Sequence, residues 1–130
     1  DVLYDSVIWE GASGGAEVSM LQTNNADFRE TDENLQQLAF ARMRAIETGR
    51  SVVNISTVGT SQVMAADGTT IDELPADEPG AMLTDVELRT GLTPAVMFGP
   101  WINAIALWGG FGALAAVGVI DLVRRRSPRV

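Results

Sequence analysis

The chain has 130 residues, 46% of them hydrophobic, which is enough for one modest domain with a real core. Cysteine, histidine and lysine are all absent, so these residues contain no thiol, imidazole or side-chain amine to act as nucleophile or base, and no usual zinc ligand. The net charge of −8 is unevenly spread: residues 1–100 hold 16 acids and five arginines, residues 101–130 one acid and four arginines. The acidic body argues against nucleic acid as a partner, and the basic cluster behind an apolar run argues for a membrane.

Asp1 is not a translation start, so the chain reads as a mature form or a piece of a longer protein. Residues 1–15 keep helical spacing through Leu3, Val7 and Ile8 and end at Gly11, Gly14 and Gly15. Glu17–Thr23 reads as a mostly buried strand. Asn24–Glu30 is a polar loop with one aromatic, Phe28; such a loop either carries site residues or is a solvated connection.

Glu33–Arg50 predicts the central amphipathic helix, capped by Thr31 or Asp32 and ended by Gly49. Leu35, Leu38, Ala39, Ala45 and Ile46 fall on one stripe, and Arg42 falls among them. Arg42 then either snorkels along the stripe's edge or is buried against a carboxylate; Arg44 falls on the opposite, polar face. Glu47 either pairs with Arg44 or Arg50 on a solvated face or belongs to a site.

Strands are predicted over Arg50–Ser56 and Ser61–Ala65. An Asp67-Gly68 hairpin turn and its partner strand Thr69–Leu74 follow. Residues 75–80 form an exposed acidic loop, and Ala81–Leu88 alternates as a half-buried strand does. With no histidine in the chain, Ser61 is no triad serine.

From Thr90 to Ile120 there is no charged residue. Residues 101–123 as a helix reach roughly 34 Å, enough for a hydrocarbon core of about 30 Å. Trp101 suits one interface, and Arg124, Arg125, Arg126 and Arg129 place the tail in the cytoplasm. Gly109 with Ala113 and Gly112 with Ala116 are small residues four apart, which favours packing on other transmembrane helices. The predicted division is 1–90 soluble body, 91–100 linker, 101–123 transmembrane helix and 124–130 basic tail.

The run from Gln37 to Glu47 with Gly49-Arg50 resembles the helix that follows the nucleophile in the carbon–nitrogen hydrolase (nitrilase) superfamily, and its wording is closer to the apolipoprotein N-acyltransferase branch. Asn24-Asn-Ala-Asp-Phe28 is similar to that branch's pocket loop, with Asn25 for an acid and Asp27 for an aromatic. Gly59–Ser61, Asp67-Gly68 and Gly91–Pro94 are similar to the pieces that follow it. The resemblance implies an α/β fold: the second half of a nitrilase-like αββα sandwich, followed by one C-terminal transmembrane helix. Asp1 would match the acid of the family's Cys-aromatic-acid turn, which would make it the candidate acceptor for Arg42, or be only a loose terminus.

The resemblance further implies a catalytic Cys just before Asp1, with Glu and Lys further upstream, so that this chain alone is inactive. Asp1, Asn24, Asn25, Phe28, Arg42 and Glu47 would support or line the pocket, with no metal and no cofactor. The implied enzyme sits in the bacterial cytoplasmic membrane with its soluble part outside. It moves an acyl chain from a phospholipid donor, through a Cys thioester, to the diacylglyceryl-cysteine of an apolipoprotein acceptor. A membrane-tethered amidase and a non-catalytic membrane scaffold are the alternatives.

Overall fold

The computed structural model describes residues 5–28 and 31–126, with side chains for all of these except 28 and 122–126. The elements are α1 (Asp5–Ser13), β1 (Val18–Thr23), a 3-10 turn (Ala26–Phe28), α2 (Glu33–Thr48), β2 (Ser51–Ser56), β3 (Ser61–Met64), β4 (Thr70–Leu74) and α3 (Pro94–Arg126). The strands form one sheet in the order β1-β2-β3-β4. β1 and β2 are parallel, joined through α2, whereas β2–β3 and β3–β4 are antiparallel. This is the mixed α/β class expected from the order of periodicities.

Strand alternation sends Val52 and Asn54 of β2, with Gln62 and Met64 of β3, to one face of the sheet. α2 packs there, and the core is Leu38, Ala41, Ala45, Val52 and Met64, with Leu21 against it. Ala41 and Ala45 are fully buried and small, so the helix backbone lies close to β2. α2 ends as predicted: Gly49 takes a left-handed φ of 64°, its N–H bonds Ile46 O, and the Arg50 N–H bonds Ala45 O. At the start, Thr31 Oγ1 accepts the Glu33 N–H at 3.4 Å, while Asp32 makes no side-chain cap.

The helix is turned relative to the predicted wheel. Its buried stripe is Leu38, Ala41, Arg44, Ala45 and Thr48, whereas Leu35, Met43 and Ile46 are each more than half exposed. Arg42 is exposed and Arg44 is 8% exposed, the reverse of the sequence expectation. Small residues explain the turn: a stripe of alanines lets the helix approach the sheet more closely than leucine and isoleucine would. The expected Arg42 partner, Asp1, lies outside the described residues.

Two further expectations change. Residues 81–88 form no ladder, although Met82, Thr84 and Val86 are half-buried and Ala81, Leu83 and Asp85 exposed, so the alternation is real. The segment lines the sheet's second face, and it reaches edge strand β1 only at its end, where the Arg89 N–H bonds Glu17 O at 3.3 Å. Together with Met20, Val53, Ile55 and Val63 it bounds an apolar groove of about 550 Å³. Residues 94–100, read as linker, are already helix, with Thr93 as N-cap (Val96 N–H to Thr93 Oγ1, 3.3 Å) and Pro94 at the first helical position. The chain divides into two compact units between Val96 and Met97. Pro94–Asp121 is long and apolar enough to cross a membrane, with a mean hydropathy of 1.7.

Candidate functional site

In an open α/β sheet, ligands gather beyond the carboxyl ends of parallel strands, where backbone and loop polar groups converge. Here that is the end of β1 and β2. Asn24 and Asn25 leave β1, and Ser56, Thr57 and Gly59 leave β2. The Thr57 N–H donates to Thr23 O at 3.2 Å, and the Thr57 hydroxyl to Asn24 Oδ1 at 2.9 Å, so the two loops are tied together. Asn24 Oδ1 also accepts the Ala26 N–H at 3.2 Å, which shapes the turn that follows.

Asn25 is 1% exposed and donates through Nδ2 to Asn34 Oδ1, at the first turn of α2, over 3.0 Å. Its own Oδ1 is buried and has no hydrogen-bond partner among the described residues. A buried amide oxygen left unpaired costs about 1–3 kcal/mol, so this atom calls for an N–H or O–H donor. Gly59 completes the arrangement. A Cβ on it would stand 2.3 Å from Asn34 Oδ1 and 2.8 Å from Ser56 Oγ, so glycine lets the β2 loop close on Asn34 without displacing either side chain. A hollow of about 230 Å³ opens beside it, lined by Ser56, Gly59, Ser61, Asp77 and Glu78 among others.

The predicted site residues therefore separate. Asn24 and Asn25 lie together at the strand ends. Phe28 closes the 3-10 turn that follows them, Asp1 is outside the described residues, and the other two are on α2 away from its start. Arg42 donates to Gln62 Oε1 at 3.0 Å and Thr70 Oγ1 at 3.1 Å, on the β3–β4 side. Glu47 lies about 20 Å along α2 from Asn34, at 1.5 Å per residue. There it accepts the Trp9 indole N–H at 2.8 Å and pairs with Arg44 at 2.5 Å, while Arg44 also reaches Asp5 at 2.6 Å. Burial opposes the Arg44 charge, but the hydrogen bonds and charges of Glu47 and Asp5 outweigh it and hold the guanidinium above its ordinary pKa. This cluster joins α1 to α2. Its chemistry is bracing.

Asn34 was not singled out from sequence, and Gly59 only as part of the Gly59–Ser61 strand pattern and not as a site residue. Asn34 shares the buried stripe with Leu38, Ala41 and Ala45 at helical spacing, a signal masked by the more apolar stripe beside it. Among the described residues no group of acids is arranged to hold a metal.

These features define an α/β domain with a polar cluster at its parallel strand ends, in one chain with a helix able to span a bilayer. No protein-family model matches the chain. It is 37% identical over 114 residues to an apolipoprotein N-acyltransferase of Mycolicibacterium smegmatis, which covers 88% of this chain and 19% of that protein. It is 38% identical to one of Ralstonia nicotianae, over 80% of this chain and 18% of that one, and 32% identical to one of Methylococcus capsulatus, over 81% and 20%. The chain is thus related to the apolipoprotein N-acyltransferases, as its motifs indicate, and spans about a fifth of the length of the curated relatives it matches.

Proposed function

We propose that this chain is part of a membrane N-acyltransferase of lipoprotein maturation. The whole protein takes an acyl chain from a phospholipid, carries it as a thioester on a cysteine, and delivers it to the N-terminal amine of a diacylglyceryl-modified apolipoprotein. The observation that carries this reading is the match to N-acyltransferases along 88% of the chain, the segment that includes most of the apolar helix. These 130 residues contain neither Cys nor Lys, so the nucleophile and the cationic oxyanion holder are supplied by residues outside them.

The body is read as half of a nitrilase-like sandwich. Support comes from the second face of the sheet, where Met20 is 71% exposed and Ile55 46% exposed beside the apolar groove; a second sheet would cover them. Asn24 and Asn25 are assigned to the pocket wall, with the unpaired Asn25 oxygen as the acceptor. Asp1, Phe28, Arg42 and Glu47 take supporting roles.

The test is acyl transfer by the full-length protein in detergent, with a phospholipid donor and a synthetic diacylglyceryl lipopeptide. Acylation of the peptide amine is expected, and the 130-residue chain alone gives none. Release of free fatty acid without amide formation, or hydrolysis of an amide in its place, would mean an amidase. No turnover of either kind would leave the scaffold reading standing.

A further inference from the structure

Arg50 is fully buried, and every hydrogen-bond partner it has among the described residues is a backbone carbonyl. Nη2 donates to Ala12 O at 2.9 Å, Nη1 to Thr48 O at 2.8 Å and Gly91 O at 3.3 Å, and Nε to Ala16 O. A buried cation without a carboxylate is normally very unfavourable. The carbonyls of Ala12 and Thr48 are the C-terminal ends of α1 and α2, and each helix end carries roughly half a negative charge. Two converging helix ends thus supply about one counter-charge from the backbone alone.

The third direction of the fork is the informative one. Gly91 precedes α3, and the segment it belongs to is fixed again two residues on. The Thr93 hydroxyl donates to Glu47 O, in the last turn of α2, and accepts the Val96 N–H at 3.3 Å, in the first turn of α3. One side chain therefore closes the end of one helix and the start of the next, with the negative end of α2 facing the positive start of α3. Gly49 makes room for this: a Cβ there would stand 2.9 Å from Thr93 Cγ2. Val96 is buried at 5% exposure.

We propose that Arg50 and Thr93 form a latch that fastens the first turn of the membrane-spanning helix to the C-terminal ends of α1 and α2. The segment that leads into α3 is thereby tied to the C-terminal ends of both helices, beside its bonds to the sheet through Ser51 and Glu17. The latch is independent of the acyl-transfer reading, because it rests only on these contacts.

Hydrogen exchange on the full-length protein in detergent micelles tests it, with Val52 and Val63 of the sheet as internal controls. Thr93→Val keeps the shape and removes the hydroxyl. It should speed exchange at residues 95–97 by about tenfold or more and leave Gly14–Ala16 unchanged. Arg50→Lys keeps the charge but cannot span four carbonyls; it should speed exchange both at 91–97 and at Gly14–Ala16, with the sheet unchanged. The latch is overturned if Arg50→Lys moves only the end of α1, if Thr93→Val leaves 95–97 unchanged, or if Val52 and Val63 rise as much as the junction does. Should Arg50→Lys not fold, Thr93→Val alone decides, since its contact is the one that joins α2 to α3.

Discussion

Arg44 and Arg42 stand two residues apart on one helix and have opposite fates. Removing Arg44 strands Glu47 and Asp5 beside a buried gap. Arg44→Ala should cost about 2–3 kcal/mol, less than for a fully buried pair because Asp5 is half in water. Arg42→Ala loses two neutral acceptors at an exposed position and should cost about 1 kcal/mol or less. Thermal unfolding of the two variants side by side checks this; equal losses would mean the helix is rotated from the orientation seen here. Asp67 provides a pH test. Its carboxylate accepts the Thr69 N–H at 2.9 Å, which holds its pKa below the ordinary carboxylate value. The folded pKa lies below the unfolded one, so this stabilisation is present above the unfolded pKa and is lost as pH falls through the folded value. An NMR titration should give Asp67 a midpoint below the roughly 3.9 of a free aspartate, with the Thr69 amide shift following it. Asp67→Asn should abolish that step in the Thr69 shift.

Elements were legible in the sequence where a local signal decides them. Gly49 and Gly68 mark α2's end and the hairpin through backbone conformation alone, and the short β-branched run of β2 marks a strand. The face of α2 was not legible, because the wheel weighs hydrophobicity, whereas packing here weighs size: Ala41 and Ala45 go in and Leu35 and Ile46 stay out. The segment 81–88 has a strand's alternation, but a ladder needs an edge to join, which no local pattern reveals. Of the candidate site, the Asn24–Asn25 loop was readable and its closure by Asn34 and Gly59 was not, since that depends on contacts across the sheet's end. Two glycines separate the backbone's needs. Gly49→Ala meets a left-handed φ of 64° and the Thr93 methyl, and should cost about 1–2 kcal/mol. Gly11 sits inside α1 with open space around it, so Gly11→Ala should gain about 0.5–1 kcal/mol. Denaturant midpoints that moved the same way for both would refute this assignment.

Across the whole molecule the proposed topology puts the acidic body outside and the arginine tail in the cytoplasm, following the positive-inside rule. In intact cells an impermeant thiol reagent should label a cysteine placed at Glu78, an exposed loop position, and spare one at Ser127. Labelling at Ser127 with protection at Glu78 would reverse the orientation. The two arginines found buried among the described residues differ in what holds them. Arg44 is held by the charges of Asp5 and Glu47, and Asp5 is 46% exposed to the ions of the medium. The partners found for Arg50 are peptide carbonyls, which carry no net charge for salt to screen. Rising ionic strength therefore loosens the brace between α1 and α2 before it reaches the root of the long apolar helix.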